Sequence, residues 1–208
     1  MRIPFIFAVM IAALAAYAPA PANAHDMQHM QHDMSMDAAQ PLPGRSVYNL
    51  DSKWTRQDGV DVAIGSLSGK PVIAAMVYTS CPDMCPAIVA DMMWIDKHLP
   101  PGVAGQVQFA LFSFDAAVDT PERLRSYADE HGLELSRWSL YHGDEDAVRE
   151  LAAALGVSYR PDGHGGFDHA AVISLLDDKG EVVFQQRGTE ARSDELLAKV
   201  SGIIGAQD

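Results

Sequence analysis

The hydrophobic positions of this chain include two uninterrupted runs with a helical pattern between them. The runs from Pro71 to Tyr78 and from Gln106 to Asp115 show little polar alternation, which is typical of strands buried on both faces of a sheet. The helix between them is indicated by apolar residues at helical spacing: Ile88, Met92, Ile95 and Leu99. A buried strand, a helix and a second buried strand in this order predict a parallel crossover.

The rest of the chain continues as strands and helices. Thr120 before Pro121 predicts a helix N-terminus, and Gly156 predicts the end of a helix that begins near Asp144. The other expected boundaries are the end of the Thr120 helix near His131, a helix from Ser193 to Ile204, strands from Trp138 to Tyr141, Ala170 to Leu176 and Glu181 to Gln186, and a loop from Arg160 to Phe167.

Two short β-like runs flank a polar stretch ahead of the first buried strand. The runs are Val47 to Leu50 and Val60 to Ile64, and the polar stretch between them is Asp51 to Gly59. We therefore expect a β-hairpin to open the domain. Together these patterns predict an α/β fold with a central mixed sheet flanked by helices.

The first 24 residues have the pattern of a secretory signal peptide. Arg2 precedes an apolar run from Ile3 to Ala18, and Ala22-Asn23-Ala24 supplies small residues for cleavage before His25. The run is shorter than the roughly 20 residues that a spanning helix needs. We expect an exported protein in the periplasm or at the outer face of the cytoplasmic membrane. An uncleaved anchor is the alternative, and only that would attach the protein to the membrane.

Residues 25–44 are predicted to be a disordered tail and linker ahead of one folded domain at residues 45–208. The tail is rich in imidazoles and thioethers, both of which bind copper. Its candidate ligands are His25, Met27, His29, Met30, His32, Met34 and Met36. We expect an arm that captures copper, and an incidental low-complexity linker is the alternative.

Composition and charge narrow the possible functions. The 208 residues are 48% hydrophobic and 21% charged, which suits one globular domain. The formal net charge is −13, and removal of Arg2 with the signal peptide makes it one unit more negative, which disfavours nucleic-acid binding. Both cysteines of the chain lie in one short motif, so the domain is not a multi-disulfide scaffold.

The two cysteines lie where the first buried strand gives way to a helix. Their motif is Cys81-Pro82-Asp83-Met84-Cys85-Pro86, and Pro86 suits the first helical turn. A helix N-terminus favours the thiolate, which attacks disulfides and binds metals. Two thiolates match Cu(I) by softness, and an added imidazole would also hold Cu(II). A structural disulfide or two buried thiols are the alternatives.

The order of motifs from about Leu50 to Ile204 resembles the Sco/SenC family of copper proteins. The cysteine motif is one part of the likeness. The other similar pieces are Phe112-Ser113-Phe114-Asp115, Asp119-Thr120-Pro121-Glu122, Asp168-His169 and the turn from Asp177 to Gly180.

The resemblance implies a thioredoxin-like fold with copper held by Cys81, Cys85 and His169. Family members help assemble the dinuclear copper centre of cytochrome c oxidase, and some act as thiol reductases. The likeness therefore implies a copper metallochaperone whose partner is a cytochrome oxidase subunit or another copper chaperone. Asp83 and Asp115 are expected to tune the thiols, and a role as ordinary turn or helix-cap carboxylates is the alternative.

Two further functions remain open. An envelope thiol:disulfide oxidoreductase would use Cys81 and Cys85 as a catalytic pair that forms a disulfide. His169 and the tail favour the chaperone, since simple dithiol exchange needs neither. A peroxide-reducing enzyme has the least support, because nothing in the sequence specifies a peroxide pocket. His164, five residues before His169, is interpreted as a surface histidine.

Overall fold

The computed structural model describes residues 43–189 and 194–205. The predicted signal peptide, the seven candidate ligands of the tail and Ser193 lie outside these residues. The strands of the described part are β1 (Lys53–Arg56), β2 (Asp61–Ala63), β3 (Val72–Val77), β4 (Gln108–Ser113), β5 (Trp138–Gly143), β6 (Tyr159–Pro161), β7 (Phe167–His169), β8 (Val172–Leu176) and β9 (Val182–Arg187). Its α-helices are α1 (Met84–His98), α2 (Pro101–Ala104), α3 (Pro121–Glu130), α4 (Glu145–Leu155) and α5 (Asp194–Gly205).

A mixed sheet of seven strands organises the domain, in the order β2-β1-β5-β4-β3-β8-β9. Strands β3, β4 and β5 run parallel to one another, whereas β8 pairs with β3 and β1 pairs with β5 in the antiparallel sense. The predicted crossover through α1 is confirmed, because α1 joins the parallel neighbours β3 and β4. The predicted fold class, a central mixed sheet flanked by helices, is confirmed as well.

The core is concentrated on the central strands. Every residue of β3 is buried, as are five of the six residues of β4, as their unbroken hydrophobic runs predicted. Helix α1 packs against them with buried side chains at helical spacing, among them Ile88, Met92 and Ile95. Each such side chain contributes about 1.5–3 kcal/mol when fully buried, so the strands that lead to the cysteine motif are firmly held.

The helix ends follow the signals in the sequence. The Thr120 side chain accepts a hydrogen bond from the N–H of Arg123 and begins α3, and Asp144 does the same for Ala147 in α4. Gly156 ends α4 with a φ of 62°, in the left-handed region that favours glycine. No helix in residues 43–189 or 194–205 is long and apolar enough to cross a membrane.

The predicted N-terminal hairpin is present, but its first strand was misplaced. Val47–Asn49 forms a 3₁₀ helix rather than a strand, because the Ser46 side chain accepts a hydrogen bond from the N–H of Tyr48 and caps the turn. The hairpin consists of β1 and β2, and β1 lies within the stretch that was predicted to be polar connection. Trp54 anchors β1 in the core with 1% of its surface exposed.

The prediction of a loop from Arg160 to Phe167 was wrong at both ends. Strands β6 and β7 form a small antiparallel ribbon there, with Tyr159 opposite His169. The Asp162 carboxylate accepts hydrogen bonds from the N–H groups of His164 and Gly166, which closes the turn between the two strands. His169 is therefore the last residue of a paired strand.

Candidate metal centre

Three candidate ligands meet at one end of the central sheet. Strand β3 ends at Val77, and a short turn leads from it into α1 and the two cysteines. Strand β8 runs antiparallel to β3, so its beginning, just after His169, lies beside the end of β3. The ligand atoms of Cys81, Cys85 and His169 consequently all lie within 4.8 Å of one another.

Backbone N–H groups fix the two sulfur atoms. The N–H of Tyr78 donates to the Sγ of Cys85 at 3.3 Å, and the N–H of Cys85 donates to the Sγ of Cys81 at 3.3 Å. Both cysteines are free thiols, with Cys85 buried and Cys81 half-buried. The helix start therefore presents one accessible sulfur and one enclosed sulfur.

The two thiols differ in acidity because their surroundings differ. Burial raises the pKa of Cys85 well above the ordinary cysteine value. Burial also raises the pKa of Cys81, but hydrogen bonds from the N–H groups of Cys85 and Asp83 outweigh it, so the pKa of Cys81 lies below the ordinary value. Cys81 therefore loses its proton at a lower pH than Cys85 does.

His169 presents one ring nitrogen to the sulfur atoms. Its Nε2 lies 3.4 Å from the Sγ of Cys85, while its Nδ1 pairs with the carbonyl oxygen of Ala170 at 3.3 Å. A proton on Nδ1 leaves the Nε2 lone pair free to bind a metal ion. Burial lowers the pKa of His169, which favours this neutral form. The Phe114 ring, 4.9 Å away between centroids, packs against the imidazole.

Tyr78 is a contributor to the site that sequence reasoning missed. Its hydroxyl accepts a hydrogen bond from the N–H of Phe167 at 3.3 Å, and its own N–H donates to the Cys85 sulfur. It therefore joins the cysteine turn to the β6–β7 ribbon that carries His169. The position of Tyr78, last in a buried run before the cysteine motif, was the available signal.

The two carboxylates expected to support the site have different surroundings. The Asp83 side chain is exposed and, within the described residues, makes no cap hydrogen bond to α1. The N–H of Asp83 is one of the groups that lower the pKa of Cys81. Asp115 is 6% exposed and accepts a hydrogen bond from the N–H of Val118. Burial and the nearby Asp119 raise the pKa of Asp115.

The interpretation of His164 as a surface histidine agrees with its position. The residue is exposed in the turn of the β6–β7 ribbon, and its N–H donates to Asp162. The cluster of possible metal ligands in residues 43–189 and 194–205 contains His169 but not His164. His164 therefore offers a control position on the same ribbon.

The donor set of the site fits copper. Two thiol sulfurs are soft ligands suited to Cu(I), and the imidazole nitrogen of His169 adds a ligand suited to Cu(II). A thiol must lose its proton to bind a metal, which the hydrogen bonds to the Cys81 sulfur favour. The same two sulfurs can alternatively be oxidised to a disulfide, which would remove both thiolates.

Comparison with known protein families gives one match over most of the chain. The family model described as SCO1/SenC matches residues 43–205. Among relatives in sequence, the "SCO1 protein homolog" of Bacillus subtilis (strain 168) is 27% identical over 148 residues, which cover 69% of this chain and 76% of the relative.

Solved structures with the same fold include a copper-bound protein and one described with a disulfide switch. Bradyrhizobium japonicum ScoI with copper bound has a TM-score of 0.62 and 26% identity, over 73% of this chain and 96% of that chain. BsSco, described with a disulfide switch and as a member of the Sco family of cytochrome c oxidase assembly proteins, has a TM-score of 0.64 and 25% identity, over 73% of this chain and 90% of that chain.

Proposed function

Since this chain belongs to the SCO1/SenC family, we propose that it is a copper metallochaperone that holds copper with Cys81, Cys85 and His169. The observation that carries the proposal is the position of two sulfurs and one imidazole nitrogen within 4.8 Å of one another. The recipient is a protein with a respiratory copper centre, such as a cytochrome c oxidase subunit, or another copper chaperone. Export by the N-terminal signal would place this protein in the cell envelope.

The different exposure of the three ligands suits a site that releases its metal ion to a partner. Cys81 and His169 are half-buried and lie in different places in the fold, the turn before α1 and the end of β7, whereas Cys85 is fully enclosed. Ligands of a partner can therefore replace the two accessible donors one after the other, while Cys85 holds the ion until last. Such stepwise exchange avoids a free copper ion at any stage.

The relatives support the copper assignment. ScoI of Bradyrhizobium japonicum, 26% identical to this chain, is a copper-bound protein, and BsSco belongs to a family of cytochrome c oxidase assembly proteins. The donor set here, two thiols and an imidazole, accepts copper in either oxidation state. Both lines of support point to the same cargo.

A second candidate function is the reduction of a partner's disulfide, and the acidity of the two thiols favours it. The Cys81 thiolate would attack the partner disulfide, form a mixed disulfide and release one partner thiol. Cys85 would then attack Cys81, which yields a Cys81–Cys85 disulfide and a fully reduced partner. A low pKa at the accessible thiol and a raised pKa at the buried thiol suit these two successive roles.

Metal content of purified variants tests the site. We expect Cys81→Ser and Cys85→Ser to abolish tight copper binding with an unchanged circular dichroism spectrum, because each removes a thiolate and leaves the sheet intact. Copper affinity would be measured by chelator competition under reducing conditions. Wild-type affinity in both folded variants would contradict the assignment of the cysteines.

Complementation separates delivery from reduction. In a strain that lacks this protein, a chaperone requires His169, whereas a dithiol reductase requires only the cysteines. We expect His169→Ala to fail to restore cytochrome c oxidase activity and the control variant His164→Ala to restore it. Full restoration by His169→Ala but not by Cys81→Ser would favour the reductase instead.

A further inference from the structure

We propose that Asp119 is a positioning residue for the cysteine pair, because its buried carboxylate fixes the turn that leads from β3 to Cys81. Arg123, one helical turn later, clamps the same turn from the solvent side. This inference rests on the cysteine site of the proposed function, but not on copper delivery. No part of it requires a bound ion.

The Asp119 carboxylate is fully buried and fully engaged. None of its surface is exposed, and one of its oxygens accepts the N–H of Thr79 at 2.9 Å and the hydroxyl of Ser113 at 2.6 Å. Its other oxygen accepts the hydroxyl of Thr79. A charged group in the interior is costly unless such donors surround it, and hydrogen bonds to a carboxylate are stronger than those between neutral groups.

These bonds join three elements at the site. Thr79 follows β3, Ser113 ends β4, and Asp119 precedes α3 by two residues. The Ser113 hydroxyl that donates to Asp119 also accepts the N–H of Asp115 at 3.0 Å. One carboxylate therefore ties the ends of two parallel strands to the beginning of α3.

Arg123 reinforces the turn from outside. Its Nε donates to the Thr79 hydroxyl oxygen, one of its terminal nitrogens lies 3.4 Å from the Ser80 hydroxyl, and its Nε lies 3.7 Å from the Asp119 carboxylate. The Arg123 side chain is 49% exposed, so its ion pair with Asp119 is screened by solvent on one side. Arg123 therefore acts on the turn mainly through its hydrogen bonds to the consecutive residues Thr79 and Ser80, and less through its ion pair with Asp119.

The held turn sets the position of both sulfurs. Tyr78, next to Thr79, donates its N–H to the Cys85 sulfur, and its carbonyl oxygen accepts the N–H of Cys81 at 3.3 Å. If Thr79 loses its hydrogen bonds to Asp119, we expect both backbone hydrogen bonds of Tyr78 to the cysteines to weaken together. The two sulfurs then meet less often in the geometry that metal binding and disulfide formation require.

Disulfide closure in the metal-free protein tests this role. Glutathione disulfide reacts with one protein thiol to give a mixed disulfide and one glutathione thiol. The second protein thiol then displaces the other glutathione and forms the Cys81–Cys85 bond. We expect Asp119→Ala, which removes all three hydrogen bonds that the carboxylate accepts, to slow this second step about tenfold or more, because the loss of even one hydrogen bond to a charged group has an effect of that size.

Matched variants on the same helix separate positioning from general destabilisation. Asp119→Asn keeps one acceptor oxygen and should recover part of the closure rate, whereas Asp129→Asn, at an exposed residue of α3, should leave it at the wild-type value. Arg123→Lys should slow closure less than Asp119→Ala, and the control Arg125→Lys should have no effect. Amide exchange at Thr79 should accelerate in step with the loss of closure rate.

Each outcome either supports or overturns the positioning role of Asp119. Slower closure with a native circular dichroism spectrum, partial rescue by Asp119→Asn and unaffected controls support the proposal. If Asp119→Ala does not fold, Asp119→Asn and Arg123→Lys decide by the same measure. Wild-type closure rates in the folded variants would overturn it. Because the assay contains no metal, that result would leave the copper proposal standing, and failure of copper delivery would leave this one standing.

Discussion

The Nε2 atom of His169 lies 3.4 Å from the Sγ atom of Cys85, although the two residues are 84 positions apart in the chain. The antiparallel pairing of β8 with β3 brings them together, since the start of one strand meets the end of the other. An imidazole thereby joins two thiols, one in the turn before α1 and one in its first turn. The predictions for His169, for the acidity of the two thiols and for oxidation depend on that arrangement.

His169→Ala should weaken Cu(II) binding by about tenfold or more and change Cu(I) binding less. The physical reason is that Cu(I) is satisfied by two soft thiolates, whereas Cu(II) favours the added imidazole. Competition titrations in each oxidation state would measure the two affinities. His164→Ala is the control on the same ribbon, and equal Cu(II) affinity in wild type and His169→Ala would refute the ligand assignment.

Alkylation of the metal-free reduced protein should distinguish the two thiols. Hydrogen bonds from backbone N–H groups hold the pKa of Cys81 below the ordinary value, so its thiolate forms at lower pH than that of a typical cysteine. Burial raises the pKa of Cys85 and also shields it, so Cys85 should stay unreacted as the pH rises through that range. Iodoacetamide labelling at several pH values, read by fragment mass spectrometry, would test this order. Faster labelling of Cys85 would contradict it.

Oxidation should block copper loading. Once Cys81 and Cys85 are joined, neither sulfur is a thiolate, and the site keeps only one imidazole. Copper should therefore raise the melting temperature of the reduced protein alone, since an ion stabilises the state that binds it. Calorimetry of both forms with chelator-buffered copper is the measurement. An equal shift in the disulfide form would exclude these cysteines as ligands.

Deletion of residues 25–36 should reduce the number of copper ions bound at high metal and leave the tightest site unchanged. A disordered segment loses conformational entropy when it chelates an ion, so its sites are the weaker ones. Equilibrium dialysis across a range of copper concentrations would separate the two classes. Loss of the tightest site on deletion would instead mean that the tail completes it.

Gly180→Ala should destabilise the domain by about 2–3 kcal/mol, toward the upper end of ordinary point mutations. Gly180 has a φ of +81°, and an added Cβ would lie 2.5 Å from a ring carbon of Tyr48. Gly69→Ala is the matched control, because Gly69 has a φ of +91° but open space around it, so it reports backbone strain alone. Urea unfolding of both variants would measure the difference. Equal losses would show that contact with Tyr48 costs nothing.

Local patterns in the sequence were sufficient for the elements that depend on local physics. The unbroken runs of β3 and β4 indicated strands buried on both faces, and Thr120, Asp144 and Gly156 marked helix ends through their own hydrogen bonds or backbone freedom. The 3₁₀ helix at Val47 was missed, because a β-like run does not reveal that the preceding serine caps a turn. The β6–β7 ribbon was missed because each of its strands is only three residues long, which is too short to show alternation.

The sequence by itself determined the two cysteines at a helix start, the fold class and, through resemblance, His169 as the third candidate ligand. Only the tertiary structure decided that the His169 ring nitrogen reaches the Cys85 sulfur, that the Tyr78 hydroxyl bonds to the N–H of Phe167, and that the Asp119 carboxylate bonds to Thr79 beside the cysteine motif. The reason is physical. Residues that are neighbours along the chain interact through fixed local geometry, whereas contacts between distant residues depend on strand register and burial, which arise only when the whole sheet assembles.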